Sequence, residues 1–282
     1  MLGFICSYFN FSNSAKLKSH YIKFRQKFPY SITTVEVALP DQEFFIPDSI
    51  KIRADTHNIL WQKERCLNIA IEELPSNVDS IAWVDTDVFF HNTNLVKDTE
   101  KALSNHKVVQ LFEQCIEKPT VNPYHNNFGI GKRLVDELDI EFPAIGFGWA
   151  FRKDVLIDNC LYDGNPVGNS DVLQLLVWLG AWNHATILDL PKHYRKEFLL
   201  WAWDSYEKVQ GDIGYVAGVL EHFYHGKLLY RQYHKRNDLL LKHNYLPSKD
   251  LRLDSNDLYC LPYKPELVED IQKYFDSRKK YE

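Results

Sequence analysis

Two aspartates one residue apart interrupt an otherwise apolar run. Ser80 to Phe90 reads SIAWVDTDVFF, and Asp85 and Asp87 are its only charges. Side chains two apart on a strand point the same way, so both carboxylates converge on one point past the strand end. Burying them is costly unless a cation or several donors meet them. Hard divalent cations take oxygen ligands, and Mg2+ or Mn2+ bound by one or two carboxylates completes its shell with substrate phosphates. The motif is therefore read as a cation site that faces a phosphorylated substrate.

A second pair, His222 and His225 in EHFYHG, has the spacing of two imidazoles that share a face and ligate a common borderline metal. Lys63 and Arg65 precede the aspartates by one helix and are read as reaching a diphosphate, with Asn68 touching a nucleotide. Arg231 and Arg236 follow the histidines and offer forks that match phosphate oxygens. Trp149 presents a face on which a sugar ring can stack. Trp201 and Trp203 in FLLWAWD are read as part of a core helix.

These groups need elements to hold them. The run Leu2 to Phe9 predicts a first strand, and a helix over Ala15 to Phe28 follows, capped by Asn13 or Ser14. SITTVEVAL is rich in β-branched residues and reads as a second strand. HNILWQKERCLNIAIEEL has near-helical apolar spacing and leads through the PSNVDS turn into the aspartate-bearing strand, the third. This β-α-β-α-β order predicts an α/β fold with a mixed, mainly parallel sheet and helices on both faces, and ligands beyond the carboxyl ends of the strands. KDTEKALSNHKVVQLF reads as a further helix and strand, FPAIGFGWAFRKDVL as a strand entering a helix, and SDVLQLLVWLGAW as an apolar helix. Residues 1–240 are expected to form the main domain, with 241–282 a polar extension whose helix packs on its outside.

Composition narrows the classes. With 282 residues, 45% hydrophobic and 14% aromatic, the chain has the means for a packed core and not the profile of disorder. A net charge of -5, with its cations scattered, excludes the basic face that nucleic acid requires. Cys6, Cys66, Cys115, Cys160 and Cys260 are odd in number and never C-x-x-C, as in a reduced intracellular protein. No signal peptide opens the sequence and no apolar run approaches ~20 residues, so a cytoplasmic protein without a membrane span is expected.

In the order and spacing of these motifs, over roughly residues 2–236, the chain resembles glycosyltransferases of the GT-A fold, in particular the β-1,4-galactosyltransferase group and phage- and virus-encoded relatives. SYFN looks like their first-strand end, where the base and ribose are received, which implies donor roles for Tyr8 and Asn10. WVDTDVFF looks like their metal motif, implying Mn2+ or Mg2+ on Asp85 and Asp87 with Thr86 beside the donor. HFYHG matches the spacing of their late metal ligands.

IGFGWAFRKDVL, with Gly148 and Trp149, is similar to their Gly-containing segment beside donor and acceptor. GNSDVLQLLVWLG resembles their acidic helix start, with Asn169 standing where an acid is usual and Asp171 left as the base. The resemblance implies metal-dependent transfer of a hexose from a UDP-sugar, with inversion, to a hydroxyl of a glycan, glycoprotein or lipid-linked acceptor. Two alternatives stay open: a non-catalytic sugar- or nucleotide-binding module of the same fold, and a phosphatase of the haloacid dehalogenase type, which also ends a strand in D-x-D. A nucleotidyltransferase is disfavoured, because FNFSNSAKLK carries no glycine-rich phosphate loop.

Overall fold

The strands follow in chain order as β1 (Leu2–Phe9), β2 (Ile32–Ala38), β3 (Ile50–Arg53), β4 (Ser80–Val84), β5 (Val88–Phe90), β6 (Val108–Gln110), β7 (Gln114–Lys118), β8 (Asn127–Phe128), β9 (Gly148–Arg152), β10 (Ile213–Tyr215) and β11 (Val219–Phe223). The computed structural model describes residues 1–118, 127–138, 143–156, 161–224 and 236–279. A seven-stranded sheet runs β10-β6-β9-β4-β1-β2-β3. Its pairs are parallel except where β9 runs antiparallel to β4 and β6. The mixed, mainly parallel α/β architecture expected from the sequence is the one that forms.

Alternation along the strands sends side chains to two separate cores. Ile5, Val35, Val37, Ile81 and Trp83 face the helix Lys63–Glu72, which contributes Cys66, Leu67 and Ala70. Phe4, Cys6, Ala82 and Val84 face the helices Ala15–Lys27 and Leu95–Leu103. Ser14 caps the former by accepting from the Leu17 amide. A third core joins the helices Ser170–Trp178, Lys192–Val209 and Pro265–Lys279 through Leu173, Phe198, Ala202, Leu267 and Ile271. Cys6, Cys66, Cys115 and Cys260 are buried and free, while Cys160 lies outside the described residues. Among the described residues no helix is long and apolar enough to cross a membrane.

Three local expectations are corrected. The helix read from His57 begins at Lys63. Ahead of it Asp55 caps a short 3-10 turn, Thr56–Asn58. The side chains of Asn58 and Gln62 donate to the distant Tyr259 carbonyl, at 3.1 and 2.7 Å, which holds this stretch out of the helix. β3 was not foreseen in the charged tetrapeptide IKIR, so the aspartates follow the fourth strand of the chain. The apolar run Ser80 to Phe90 is two strands. β4 ends at Val84, and β5 crosses into a second sheet, β5-β11-β7-β8, pairing antiparallel with β11.

Candidate active site

The chain leaves β1 toward β2 on one side, and β4 comes back to lie on the other. Between β1 and β4 the order therefore reverses, the place where open α/β sheets leave a crevice for ligands. A pocket occupies that crevice. Residues 7–12 at the end of β1 form one wall, and Asp85, Thr86 and Asp87 after β4 form another. Leu17, His20, Trp61, Lys63 and Phe275 complete the lining.

The β1 wall is fixed by Asn10, whose amide donates to the Tyr8 hydroxyl at 3.3 Å and to the Ser14 carbonyl at 2.8 Å. Its Oδ1 accepts from the Ser14 amide, so the loop is locked onto the start of the next helix. Burial pushes the Tyr8 hydroxyl up to about 12, keeping it protonated at neutral pH. Four rings form the apolar side: Phe9 meets Trp61 edge-on at 5.6 Å, and Phe275 lies parallel to Trp61 at 6.4 Å and edge-on to Phe11.

Asp85 and Asp87 sit where the chain passes from one sheet to the other. The Asp85 amide donates to the Phe147 carbonyl at 2.8 Å, and the Phe223 amide donates to the Asp87 carbonyl at 2.7 Å. Phe147 has φ +78°, a left-handed conformation that costs energy for any residue but glycine, and its ring packs 4.8 Å from that of His222. Strain of this kind gathers where surrounding structure fixes a functional geometry.

Lys63 Nζ lies 2.5 Å from Asp85 Oδ1, with the two side chains 13% and 23% exposed. Burial opposes the charge on Lys63, yet Asp85, Asp171 and Glu64 outweigh it and hold the ammonium above the usual lysine range. Burial likewise pushes the Asp85 carboxyl up; Lys63 draws it back, while Asp87 and Asp171 add to the rise. Glu64, beside this group, is pushed up to about 8, mainly by burial.

His222 lies on β11 with Nε2 3.4 Å from Asp87 Oδ2. Its Nδ1 is 2.6 Å from Glu117 Oε2 on β7, and both of these side chains are almost wholly buried. The result is a chain of three groups, Glu117, His222 and Asp87, in which the outer carboxylate orients the imidazole. His225 and Arg231 lie outside the described residues. Among the described residues no group of three or more His, Cys, Asp and Glu side chains has the geometry to hold a metal by itself. The donors that fit a cation are the two carboxylates, a set suited to an ion that draws its other ligands from phosphates.

Asp171 opens the helix Ser170–Trp178 and stands against the chain at Gly146, where an added Cβ would come within 3.1 Å of its Oδ2. Its charge reaches Lys63, Glu64 and Asp85. Just before it, Asn169 has φ +83° and accepts a hydrogen bond from Arg236 at 3.1 Å. Gly168 packs against Trp61 and Arg236, which ties this corner to the pocket.

The remaining sequence-predicted residues lie away from the crevice. Arg65 donates to the Asp257 carbonyl at 2.8 Å. Asn68 brackets Leu161, donating to its carbonyl and accepting from its amide, and also donates to Asp163. Gly148 sits in β9 opposite Val84. Trp149 is buried, donates to the Ile145 carbonyl and packs edge-on against Trp178 at 5.5 Å, a core role. Sequence reasoning passed over Glu64, Glu117, His20 and Phe275. Glu64 adjoins Lys63, which was a usable signal, whereas nothing local marks Phe275.

No family model and no curated protein matches the sequence. Among solved structures, S. aureus TarS (residues 1–349) is similar at 10% identity, with 79% of this chain and 60% of that one covered and a TM-score of 0.39. The catalytic domain of Drosophila β1,4-galactosyltransferase 7, in complex with xylobiose, is similar at 11% identity, covering 64% and 61%, with a TM-score of 0.34. A glycosyltransferase involved in glycosylation of the major capsid of PBCV-1 is similar at 12% identity, covering 96% and 98%, with a TM-score of 0.29. The chain spans about 60% of the length of the first two.

Proposed function

We propose that the chain transfers a hexose from a nucleoside diphosphate sugar, with UDP the favoured nucleotide, to a hydroxyl of a glycan, glycoprotein or lipid-linked acceptor. The observation that carries this reading is the gathering of Asp85, Asp87 and Lys63 in the crevice between β1 and β4, within reach of the charge of Asp171. Tyr8 and Asn10, with the Phe9 and Trp61 rings, receive the nucleoside. Lys63 supplies one positive charge to the diphosphate. A Mn2+ or Mg2+ ion held by Asp85 and Asp87 would add Lewis-acid stabilisation of the charge that develops on the leaving diphosphate.

Asp171 takes the proton of the acceptor hydroxyl as its oxygen attacks the anomeric carbon. The new carbon–oxygen bond forms while the bond to the β-phosphate oxygen breaks, and the nucleoside diphosphate leaves with the electron pair. Attack opposite the leaving group inverts the anomeric centre. Arg236, through Asn169, holds the start of the Asp171 helix.

One feature favours a second reading, a nucleotide-binding module without a metal: Lys63 already answers the charge of Asp85. The position of D-x-D after β4 rather than β1 weighs against the phosphatase.

Thermal unfolding with UDP, GDP and their sugars, each with and without Mn2+, in wild type and Asp87→Ala, separates these readings. A ligand at ~100 times its dissociation constant stabilises the native state by ~2.7 kcal/mol. Metal-dependent stabilisation that Asp87→Ala abolishes is the expected result. Equal stabilisation without metal favours the binding module, and no stabilisation by any nucleotide in folded protein sinks both.

A further inference from the structure

Trp201 and Trp203 are read from the sequence as part of a core helix, and on the inner face of the helix Lys192–Val209 the side chains of Tyr194, Phe198, Ala202 and Ser205 are buried. Its outer face is not. Lys192, Lys196, Leu199, Leu200 and Trp203 recur at helical spacing along one stripe and line a shallow groove with Arg195. Leu200 is 69% and Trp203 54% exposed, and Leu188, just before the helix, adds 47% exposed apolar surface. Trp182 stacks on Trp203 at 6.1 Å, so the patch is contiguous rather than a scatter of single side chains.

The charge at its edge runs against what a free helix favours. Lys192, Arg195 and Lys196 crowd the amino-terminal end, no acid stands in the first turn, and the helix dipole is positive there. This concentration of positive charge occurs in a chain of net charge -5. Of the acids nearby, Glu197 adjoins Lys196 but is bonded to Ser248, Asp204 lines the groove toward the other end, and Glu207 accepts the Trp203 indole N–H. Cations at a helix amino terminus beside exposed leucine and tryptophan are complementary to one surface, phosphate headgroups over an acyl boundary.

We propose that this face docks on an anionic lipid bilayer, with Leu199, Leu200 and Trp203 at the headgroup boundary and Lys192, Arg195 and Lys196 on lipid phosphates. The proposal stands on the patch alone and does not need the transferase reading.

Flotation of the full chain with vesicles of phosphatidylcholine, alone and with added phosphatidylserine, tests it. Binding is expected on the anionic vesicles, weakening as salt rises, with Trp203 emission shifting to the blue. Lys192→Glu/Lys196→Glu is expected to lower partitioning by about fivefold or more per cation removed, and Leu200→Ser/Trp203→Ser to abolish it. All four positions lie on the surface, so unchanged melting temperatures establish that both variants fold. Absence of flotation, equal flotation with neutral vesicles, or wild-type binding by both variants would overturn the proposal. So would a concentration-dependent dimer, seen by light scattering and lost in Leu200→Ser/Trp203→Ser, without any vesicle binding.

Discussion

Replacing Lys63 by methionine removes the cation paired with Asp85 while keeping the length of the side chain. At the observed 2.5 Å, two unit charges attract by ~6–7 kcal/mol at an effective dielectric of ~20. Desolvation of both groups returns much of this, and cutting one partner from a buried pair typically costs ~3–5 kcal/mol. Exposures of 13% and 23% bring the expected loss for Lys63→Met to ~2–3 kcal/mol at pH 7. The loss fades as pH falls, because a protonated Asp85 no longer needs the ammonium.

If Asp85 and Asp87 take a divalent cation, Lys63 is that cation's competitor. Its removal then tightens Mn2+ binding without nucleotide by the same free energy, about 30- to 150-fold. Free Mn2+, counted by electron paramagnetic resonance during titration of both proteins, gives the two dissociation constants, and urea unfolding gives the stability change. Mn2+ affinity that is unchanged or weaker in Lys63→Met refutes a shared cation position at Asp85.

Other perturbations separate the remaining roles. Asp171→Asn should lower turnover by ~10²- to 10⁴-fold, the range for loss of a general base, while thermal stabilisation by the donor nucleotide stays as in wild type; loss of both would make Asp171 a donor ligand. Phe275→Ala should weaken nucleotide binding about tenfold, since an aromatic contact is worth ~0.5–1.5 kcal/mol beyond its buried area, and an unchanged dissociation constant would take this ring out of the site. Glu64, raised to about 8 by burial, keeps its proton in the native state where the unfolded chain has lost it, so native stability falls as pH rises from ~4.5 to 8. Glu64→Gln removes that dependence, and its melting temperature should climb relative to wild type across the same window; parallel curves would contradict it.

The parts that were legible in the sequence are those whose signals are local. β1 and the Ser14 cap follow from an apolar run and a capping hydroxyl within a few residues. Asp85 and Asp87 stood out because carboxylates are costly in an apolar strand. What was missed depends on distant partners. Gln62 and Asn58 read as helical until Tyr259 claims their side chains. Asn68 is a polar residue on a helix near the motif, and its commitment to Leu161 needs the loop that brings Leu161 to it. The run Ser80 to Phe90 hides its break because both strands are equally apolar, and only the pairing of Val88 with His222 reveals the change of sheet. Glu117 becomes visible as the partner of His222 once β7 lies beside β11.

Phe275 belongs to a helix held by Leu267 and Ile271 in the third core, and its ring also packs against the first, on the Lys63–Glu72 face of the large sheet. Both sheets are complete before that helix enters the sequence. The strands of the sheets and the last ring of the pocket therefore come from separate parts of the chain. With the last helix undocked the aspartates would stand beside an open trough, so binding of a planar ligand depends on the docking of that helix. A nucleotide that needs all four rings would thus drive that docking, and its affinity would report how firmly the helix is seated.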